Sequence, residues 1–259
     1  MVVVITGATS GIGEETAKLY AKEGHTVYSL ARRVKDIEGI RYLSCDLTRS
    51  EDIESSIKNI IDESGQIDLL INNAGMGISG AFEYHTNEEI ESIINVNILG
   101  LLKITKAVVP YLRKTKGKII NISSVAGPIA IPFQGMYSLT KSAVISFTES
   151  LRNELRPFGV KVSAVLPGDT KTGFTDARKK SADKNEYGDR INRSVSKMEK
   201  DERNGASPIK VAKVIMKVSK KKNPNTYYVV GFSYKLLVFL SRILPKRFVN
   251  WLIYQIYAK

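Results

Sequence analysis

The pattern of hydrophobic and polar positions alternates between short apolar runs and longer stretches with helical spacing. The apolar runs, rich in β-branched residues, are typical of buried parallel strands. They predict strands at 2–5, 26–30, 41–44, 68–71, 118–122, 160–166 and 226–230. The intervening stretches predict helices at 14–23, 51–63, 88–112, 138–155 and 208–219. This alternation indicates one doubly wound α/β domain of the Rossmann type, with a central parallel sheet, right-handed crossovers and helices on both faces.

Two stretches depart from this alternation. Residues 169–206 are polar and rich in charge, and a connection of that length is typical of a lid or of disorder; we interpret it as a substrate lid. Residues 234–259 form a basic, aromatic tail after a domain at 1–233. Pro245 divides this tail into two short helices, each below the roughly 20 residues that span a bilayer.

A glycine-rich turn follows the first strand at once. It contains Gly7, Gly11 and Gly13 and opens the first helix. Glycines let the backbone approach an anion, which the free N–H groups and positive dipole end of the helix then bind. The turn therefore predicts a dinucleotide pyrophosphate site formed by Thr6, Gly7, Thr9, Ser10, Gly11, Ile12 and Gly13. A tight strand-to-helix connection without a ligand is the alternative interpretation.

Composition excludes several classes of site. Cys45 is the single cysteine, so no internal disulfide forms, and we expect it to be a small buried side chain. His25 and His85 have no partners at metal-ligand spacing, so we predict no metal site. No export signal precedes the first strand, which favours a cytoplasmic location, with membrane association through the tail as the variant.

The positive charge is concentrated at the end of the chain. The net charge is +13, yet residues 1–202 hold 27 basic and 26 acidic side chains, whereas residues 203–259 hold 12 basic and none acidic. No nucleic-acid recognition motif accompanies the charge, so we predict no nucleic-acid partner. The tail suits peripheral contact with an anionic membrane. The alternative is packing across a subunit interface or over the substrate entrance.

Five motifs in order resemble the classical short-chain dehydrogenase/reductase family over roughly residues 1–232. They are the turn Thr6–Gly13, the segment Asn72-Asn73-Ala74-Gly75, Asn97, Ser124 thirteen residues before Tyr137 with Lys141 four residues after it, and Pro167-Gly168. The resemblance implies a nicotinamide-dependent oxidoreductase with Asn97, Ser124, Tyr137 and Lys141 in catalysis. It also implies a homodimer or homotetramer built through helices 88–112 and 138–155.

The chemistry of these side chains supports that role. Tyr137 and Lys141 share one helix face because they are four residues apart. A nearby ammonium favours the phenolate, so we expect the pKa of Tyr137 to fall from about 10 toward neutrality. Ser124 is suited to hydrogen-bond the substrate oxygen. By resemblance, Lys141 also binds the nicotinamide ribose, and Asn97 holds a water that relays protons.

The end of the second strand favours NADP(H) over NAD(H). NAD-dependent enzymes carry an acid there for the ribose 2′-hydroxyl, but this chain has Ala31 followed by Arg32 and Arg33. Guanidinium groups bind a 2′-phosphate well; a solvated arginine pair is the alternative. By resemblance, the remaining cofactor contacts are Asp46 and Leu47 near the adenine, then Asn73, Ala74, Gly75, Pro167, Gly168, Thr170 and Thr172. Thr170 stands where the family more often has Val or Ile.

The segment between Ser124 and Tyr137 contains no charged residue. By resemblance it lines the substrate pocket, which favours a small apolar partner: a steroid-, retinoid- or acyl-like ketone or aldehyde, or its alcohol. Met76, Ile78 and Phe82 are candidates for the same wall, and Ile129 and Ile131 have plain core packing as their alternative. Two functions of other classes remain open: a catalytically silent nucleotide sensor or scaffold, and a peripheral membrane protein acting through its tail.

Overall fold

A seven-stranded parallel sheet lies at the centre of this computed structural model, which describes residues 1–182 and 185–259. In the described residues the strands are β1 (Val2–Thr6), β2 (Thr26–Ala31), β3 (Ile40–Ser44), β4 (Leu69–Asn72), β5 (Ile78–Ser79), β6 (Lys118–Ile122), β7 (Lys161–Leu166), β8 (Lys179–Lys180) and β9 (Tyr227–Val229). The main sheet has the order β3-β2-β1-β4-β6-β7-β9, and β5 pairs with β8 separately. The predicted fold class is confirmed.

Helices cover both faces of the sheet, which is why its strands are apolar almost throughout. They are α1 (Gly11–Lys22), α2 (Ser50–Ser64), α3 (Asn87–Ile94), α4 (Leu101–Thr115), α5 (Gly135–Glu154), α6 (Arg190–Arg203), α7 (Pro208–Lys220), α8 (Phe232–Ile243) and α9 (Lys246–Tyr257). One core layer joins the sheet to α2, α4 and α5, and the other joins it to α1 and α7. Val3, Val4 and Ile5 of β1 are fully buried between the two layers, and Cys45 is buried as expected.

The register brings the predicted functional loops to one edge of the sheet. Ile5 of β1 lies opposite Ser29 of β2 and Ile71 of β4. The chain order reverses between β1 and β4, and ligands of doubly wound sheets bind at that switch point, beyond the carboxyl ends of the strands.

The prediction of one continuous α-helix over 88–112 is wrong in its middle. A π-helical segment, Asn95–Gly100, separates α3 from α4. Asn97 lies in this wider turn and is buried, with its amide bonded to both backbone groups of Met76. Such π segments are frequent at functional sites, and the amide–backbone pairing is a tertiary contact that hydrophobic spacing does not reveal. By length and composition Asn87–Thr115 resembles a membrane span, but α4 packs into the core.

The stretch 169–206 is more ordered than its polarity suggested. It contains α6 and β8, which pairs with β5 beside the site; residues 183 and 184 of that stretch lie outside the described residues. The buried side of α6 carries Ile191, Val195 and Met198. Three apolar positions in fourteen were too few to predict this helix among the charges. The described residues of the stretch are ordered, which argues against the alternative of disorder, and the lid function stays a prediction.

The tail forms two helices on either side of Pro245, as predicted. α8 begins at Phe232, two residues before the predicted boundary, and α9 begins at Lys246. Val238 of α8 and Ile253 of α9 are buried against Val125 and Ile129 of the segment that precedes Tyr137. The tail therefore packs over the substrate end of the site.

Candidate active site

One cavity of about 560 Å³ lies at the carboxyl edge of the sheet. Most of the predicted site residues line it: Gly7, Thr9, Ser10, Gly11, Ile12, Arg32, Arg33, Asp46, Leu47, Asn73, Ala74, Gly75, Ser124, Tyr137, Lys141, Pro167, Gly168, Thr170 and Thr172. Three predicted residues, Thr6, Gly13 and Asn97, do not line it. The cavity thus brings the glycine-rich turn and the tyrosine–lysine pair into one space.

The glycine-rich end has the shape that a dinucleotide requires. Gly7 and Gly11 have φ angles of +69° and +57°, which favour glycine. A Cβ on Gly7 would lie 3.0 Å from the Cα of Ala74. The side chain of Ser10, the N-cap of α1, makes no capping hydrogen bond, so the first N–H groups of α1 are free to bind an anion. The residues present therefore fit a nicotinamide dinucleotide.

Thr6 and Gly13 lie behind this wall and position it. The Oγ1 of Thr6 accepts hydrogen bonds from the backbone N–H groups of Asn73 and Ala74, each 3.0 Å long. A Cβ on Gly13 would lie 2.4 Å from Nδ2 of Asn73 and 2.5 Å from the carbonyl oxygen of Gly7. Thr6 thus joins the ends of β1 and β4, and Gly13 leaves room for Asn73 and Gly7. Their contact with a cofactor stays a prediction.

Arg32 and Arg33 are exposed where β2 enters the cavity. Hydrogen bonds from the backbone and side chain of Thr48 hold the pKa of Asp46 below its usual value, and the positive charge of Arg32 adds to that effect. Arg32 thus lies close enough to Asp46 to act on its charge, and it gives this end of the cavity a positive potential.

The tyrosine–lysine pair projects from the first half of α5. The Nζ atom of Lys141 lies 5.6 Å from the centre of the Tyr137 ring and donates to the carbonyl oxygen of Ile122 at 3.0 Å. Behind the pair, the Nδ2 of Asn97 donates to the Oγ1 of Thr140 at 3.1 Å. Asn97 is therefore a buried neighbour of the pair.

Burial controls the titration of both groups. Burial raises the pKa of Tyr137 to about 12. The hydrogen bond to Ser124 opposes this rise, the charge of Glu202 adds to it, and the charge of Arg178 opposes it. Burial lowers the pKa of Lys141 to about 8. The expected fall in the pKa of Tyr137 is thus corrected, because desolvation of the phenolate outweighs any stabilising charge here. A tyrosine in this state is a protonated acid at neutral pH.

The substrate end is mainly apolar, and much of it comes from segments that sequence motifs did not indicate. Val125, Ala126, Ile129, Ile131 and Met76 line it as expected, whereas Ile78 and Phe82 do not. The additional apolar and aromatic lining comes from Phe174, Ala177, Met198, Tyr234, Leu237, Ile253 and Tyr257. The Phe174 ring lies 5.6 Å from that of Tyr137. Among these additional lining residues, the sequence had pointed only to the aromatic side chains of the tail.

Two carboxyl groups interrupt that wall. Asp169, directly after Gly168, accepts a hydrogen bond from the Tyr234 hydroxyl at 2.5 Å. Glu202 of α6 pairs with the buried guanidinium of Arg178. Burial raises the pKa of Asp169, the Tyr234 hydroxyl lowers it, and Glu202 raises it further. A Cβ on Gly168 would lie 2.3 Å from the Tyr234 ring, so only glycine there lets the tail approach this closely.

The model of the short chain dehydrogenase family matches residues 1–183, more than half of the chain. The chain belongs to the short-chain dehydrogenase/reductase family. It is therefore an NAD(P)-dependent oxidoreductase, and its nucleotide site accepts a nicotinamide cofactor. In the described residues no group of three His, Cys, Asp or Glu side chains could hold a metal ion.

Relatives of this dehydrogenase share nearly its whole length. A protein of Bacteroides thetaiotaomicron named 3-ketodihydrosphingosine reductase is 42% identical over 99% of this chain and 98% of its own. The structure of ElxO with NADP bound has a TM-score of 0.76 at 27% identity, covering 91% of this chain and 98% of its own. The 3-ketoacyl-(acyl-carrier-protein) reductase of Brucella melitensis, complexed with NADH, has a TM-score of 0.75 at 25% identity, covering 88% of this chain and 96% of its own.

Proposed function

We propose that this dehydrogenase reduces a long-chain ketone bearing an amino group beside its carbonyl, a compound of the 3-ketodihydrosphingosine type, with NADPH as the reductant. The name of the Bacteroides relative supports the substrate class. This substrate corresponds to the acyl-like ketone among the lipophilic substrates predicted from the sequence. The observation that carries the amine is Asp169, one of two carboxyl groups that line the same cavity as Tyr137 among mainly apolar side chains.

The geometry of the cavity and the resemblance to the family support the proposed roles. Reduction adds a hydride to the carbonyl carbon, which the nicotinamide supplies when bound, and a proton to the carbonyl oxygen. Tyr137 gives that proton, since its raised pKa keeps the hydroxyl protonated. Ser124 shares a hydrogen bond with Tyr137, so one substrate oxygen is within reach of both. Lys141 holds the cofactor ribose and returns the proton to Tyr137, and Asn97 keeps the backbone of Met76 in place behind them.

Three groups of residues that line the cavity would hold the cofactor. We propose Thr9, Ser10, Gly11 and Ile12 for the pyrophosphate, Asp46 and Leu47 for the adenine, and Thr170 and Thr172 for the nicotinamide. Arg32 would bind the 2′-phosphate, with Arg33 and Ser10 assisting. All of these line the same cavity, and no acid stands at Ala31 to select the free ribose of NAD(H).

The Arg32→Ala change is expected to raise the KM for NADPH about 10- to 100-fold while changing the KM for NADH less than threefold. The reason is that a charge-assisted hydrogen bond to phosphate contributes about 1.5–3 kcal/mol. Initial rates at varied NADPH and NADH measure both. Arg49→Ala is the matched control, because Arg49 lies near Asp46 and pairs with Asp52 outside the cavity. Equal losses with both cofactors would contradict NADP(H) selection.

A carboxylate beside the reacting carbonyl is suited to bind an ammonium group. Asp169 and Glu202 both line the cavity, and the charge of Glu202 raises the pKa of Asp169. A substrate cation between them would relieve that repulsion. Of the two, Glu202 already has the guanidinium of Arg178, so Asp169 is the group we assign to the substrate amine.

The test compares 3-ketodihydrosphingosine with the same chain lacking the amino group, following NADPH oxidation. The wild type should prefer the amino ketone, and Asp169→Asn should raise KM for it about tenfold or more while leaving the plain ketone unchanged, because only the amine gains from the charge. Asp176→Asn is the control, since Asp176 is exposed on the same segment and pairs with Arg203. Equal kinetics of both ketones with the wild type would overturn the amine assignment.

We also propose a cytoplasmic enzyme that assembles as a homodimer or homotetramer through the helical stretches 88–112 and 138–155. The family often forms oligomers, and apolar side chains support this surface: Leu139 of α5 and Leu99, just before α4, are both exposed. A second copy would remove them from water.

A further inference from the structure

α8 carries two apolar faces. Its inner face holds the buried Val238 and Ser241 and the partly buried Tyr234. Phe232, Leu236, Phe239 and Ile243 recur at i, i+4, i+7 and i+11, so they share the opposite face. All four are exposed, Phe232 to 84%. A helix at the surface of a soluble domain normally turns polar residues outward, so this apolar outer face indicates contact with a partner other than water.

α9 continues the same surface. Ile253 faces the cavity, whereas Phe248, Trp251, Leu252 and Ile256 are exposed. The Trp251 ring, 54% exposed, stacks on Phe248 at 5.9 Å. We call the exposed apolar residues of both helices the outer tail surface. Aromatic and aliphatic side chains in this arrangement favour the boundary between lipid headgroups and acyl chains.

Charge selects the partner that covers this surface. Lys235, Arg242, Lys246, Arg247 and Lys259 are exposed around it, and residues 234–259 contain no acid. A second copy docked symmetrically by the same face would set these cations against one another. Anionic lipid headgroups complement them. Each helix has 12 residues, too short to span a bilayer, so the pair suits an orientation in the membrane plane.

The inner side of the same helices forms the entrance to the substrate site. Tyr234, Leu237, Ile253 and Tyr257 line the cavity, and Leu237 is also 43% exposed at its rim. We infer that the outer tail surface docks on an anionic bilayer and that the ketone enters the cavity from the lipid, between α8 and α9. Docking stands by itself, whereas entry from the lipid rests on the proposed function.

The experiment measures binding of the full-length enzyme to vesicles by flotation. We expect binding to vesicles of phosphatidylglycerol and phosphatidylcholine and at least tenfold weaker binding to phosphatidylcholine alone. The double change K246Q/R247Q should weaken anionic binding about thirtyfold, since each cation near the surface adds about a fivefold gain. Trp251→Ala should weaken it about tenfold through lost apolar burial. The pair R113Q/K114Q on α4, also adjacent and exposed, should leave binding unchanged.

Kinetics separate docking from the ketone assignment. With 3-ketodihydrosphingosine held in the vesicles, K246Q/R247Q should lower turnover about as much as it lowers binding, while a short water-soluble ketone reacts as with the wild type. Vesicle binding without turnover of any ketone supports docking and overturns the proposed function. Absence of wild-type binding, or binding that ignores the tail substitutions, overturns docking. A fall in the light-scattering mass of Trp251→Ala, without vesicle binding by the wild type, assigns the surface to a second copy.

Discussion

Tyr137→Phe is expected to lower kcat about 10³-fold while NADPH still binds, because a positioned general acid contributes roughly 10²–10⁴-fold and phenylalanine keeps the ring packing. The ring lies among Phe174, Lys141 and the cavity wall, so the fold has no reason to change. Absorbance of NADPH measures turnover, and fluorescence titration measures its binding. Because the pKa of Tyr137 is raised to about 12, its own ionisation should leave the wild-type rate of reduction level from pH 6 to 9.

The control for this change is Tyr111→Phe on α4, outside the cavity. It should react within twofold of the wild type. If Tyr137→Phe retained a third or more of the wild-type kcat, another group would have to be the acid, and the proposed mechanism would fail. Retained NADPH binding with lost turnover would exclude the sensor as the main function, since the chemistry would then depend on this hydroxyl.

Lys141→Met is expected to lower kcat about 10²–10³-fold, as the loss of a preorganised charge beside the reacting groups does elsewhere. The same substitution should also change how the free energy of unfolding depends on pH. Lys141 is 5% exposed, and its pKa falls from 10.5 to about 8 through burial. Between these values the unfolded chain binds the proton and the folded chain does not, so wild-type stability rises with pH.

The measurement is the free energy of unfolding in urea at pH 7, 8, 9 and 10 for wild type and Lys141→Met. Relative to the variant, the wild type should gain roughly 1 kcal/mol per pH unit above pH 8 and nothing below it. Other titrating groups are common to both proteins and cancel. A difference that stays flat over the whole range would mean that burial does not lower the pKa of this lysine.

The elements of the fold could be read from the sequence because they depend on local patterns. The buried run at Val3, Val4 and Ile5 requires only that both faces of the sheet are covered. Exceptions include the π turn at Asn97, which depends on a contact with Met76, and α6, whose three apolar positions did not stand out among the charges. Right-handed crossovers apply to any chain of this alternation, but more than one strand order obeys them, so the order of the strands came only from the tertiary structure.

The candidate site was likewise predicted in part from the sequence and decided in part by the tertiary structure. Helix spacing placed Tyr137 and Lys141 on one face, because four helical residues make about one turn. The resemblance to the family added Ser124. Only the tertiary structure showed that burial raises the pKa of Tyr137, since desolvation depends on every segment packed around it. It alone brought Asp169, Glu202 and Tyr234 to one cavity. These residues are 33 or 65 positions from Asp169 along the chain, and no local pattern encodes a contact over that distance.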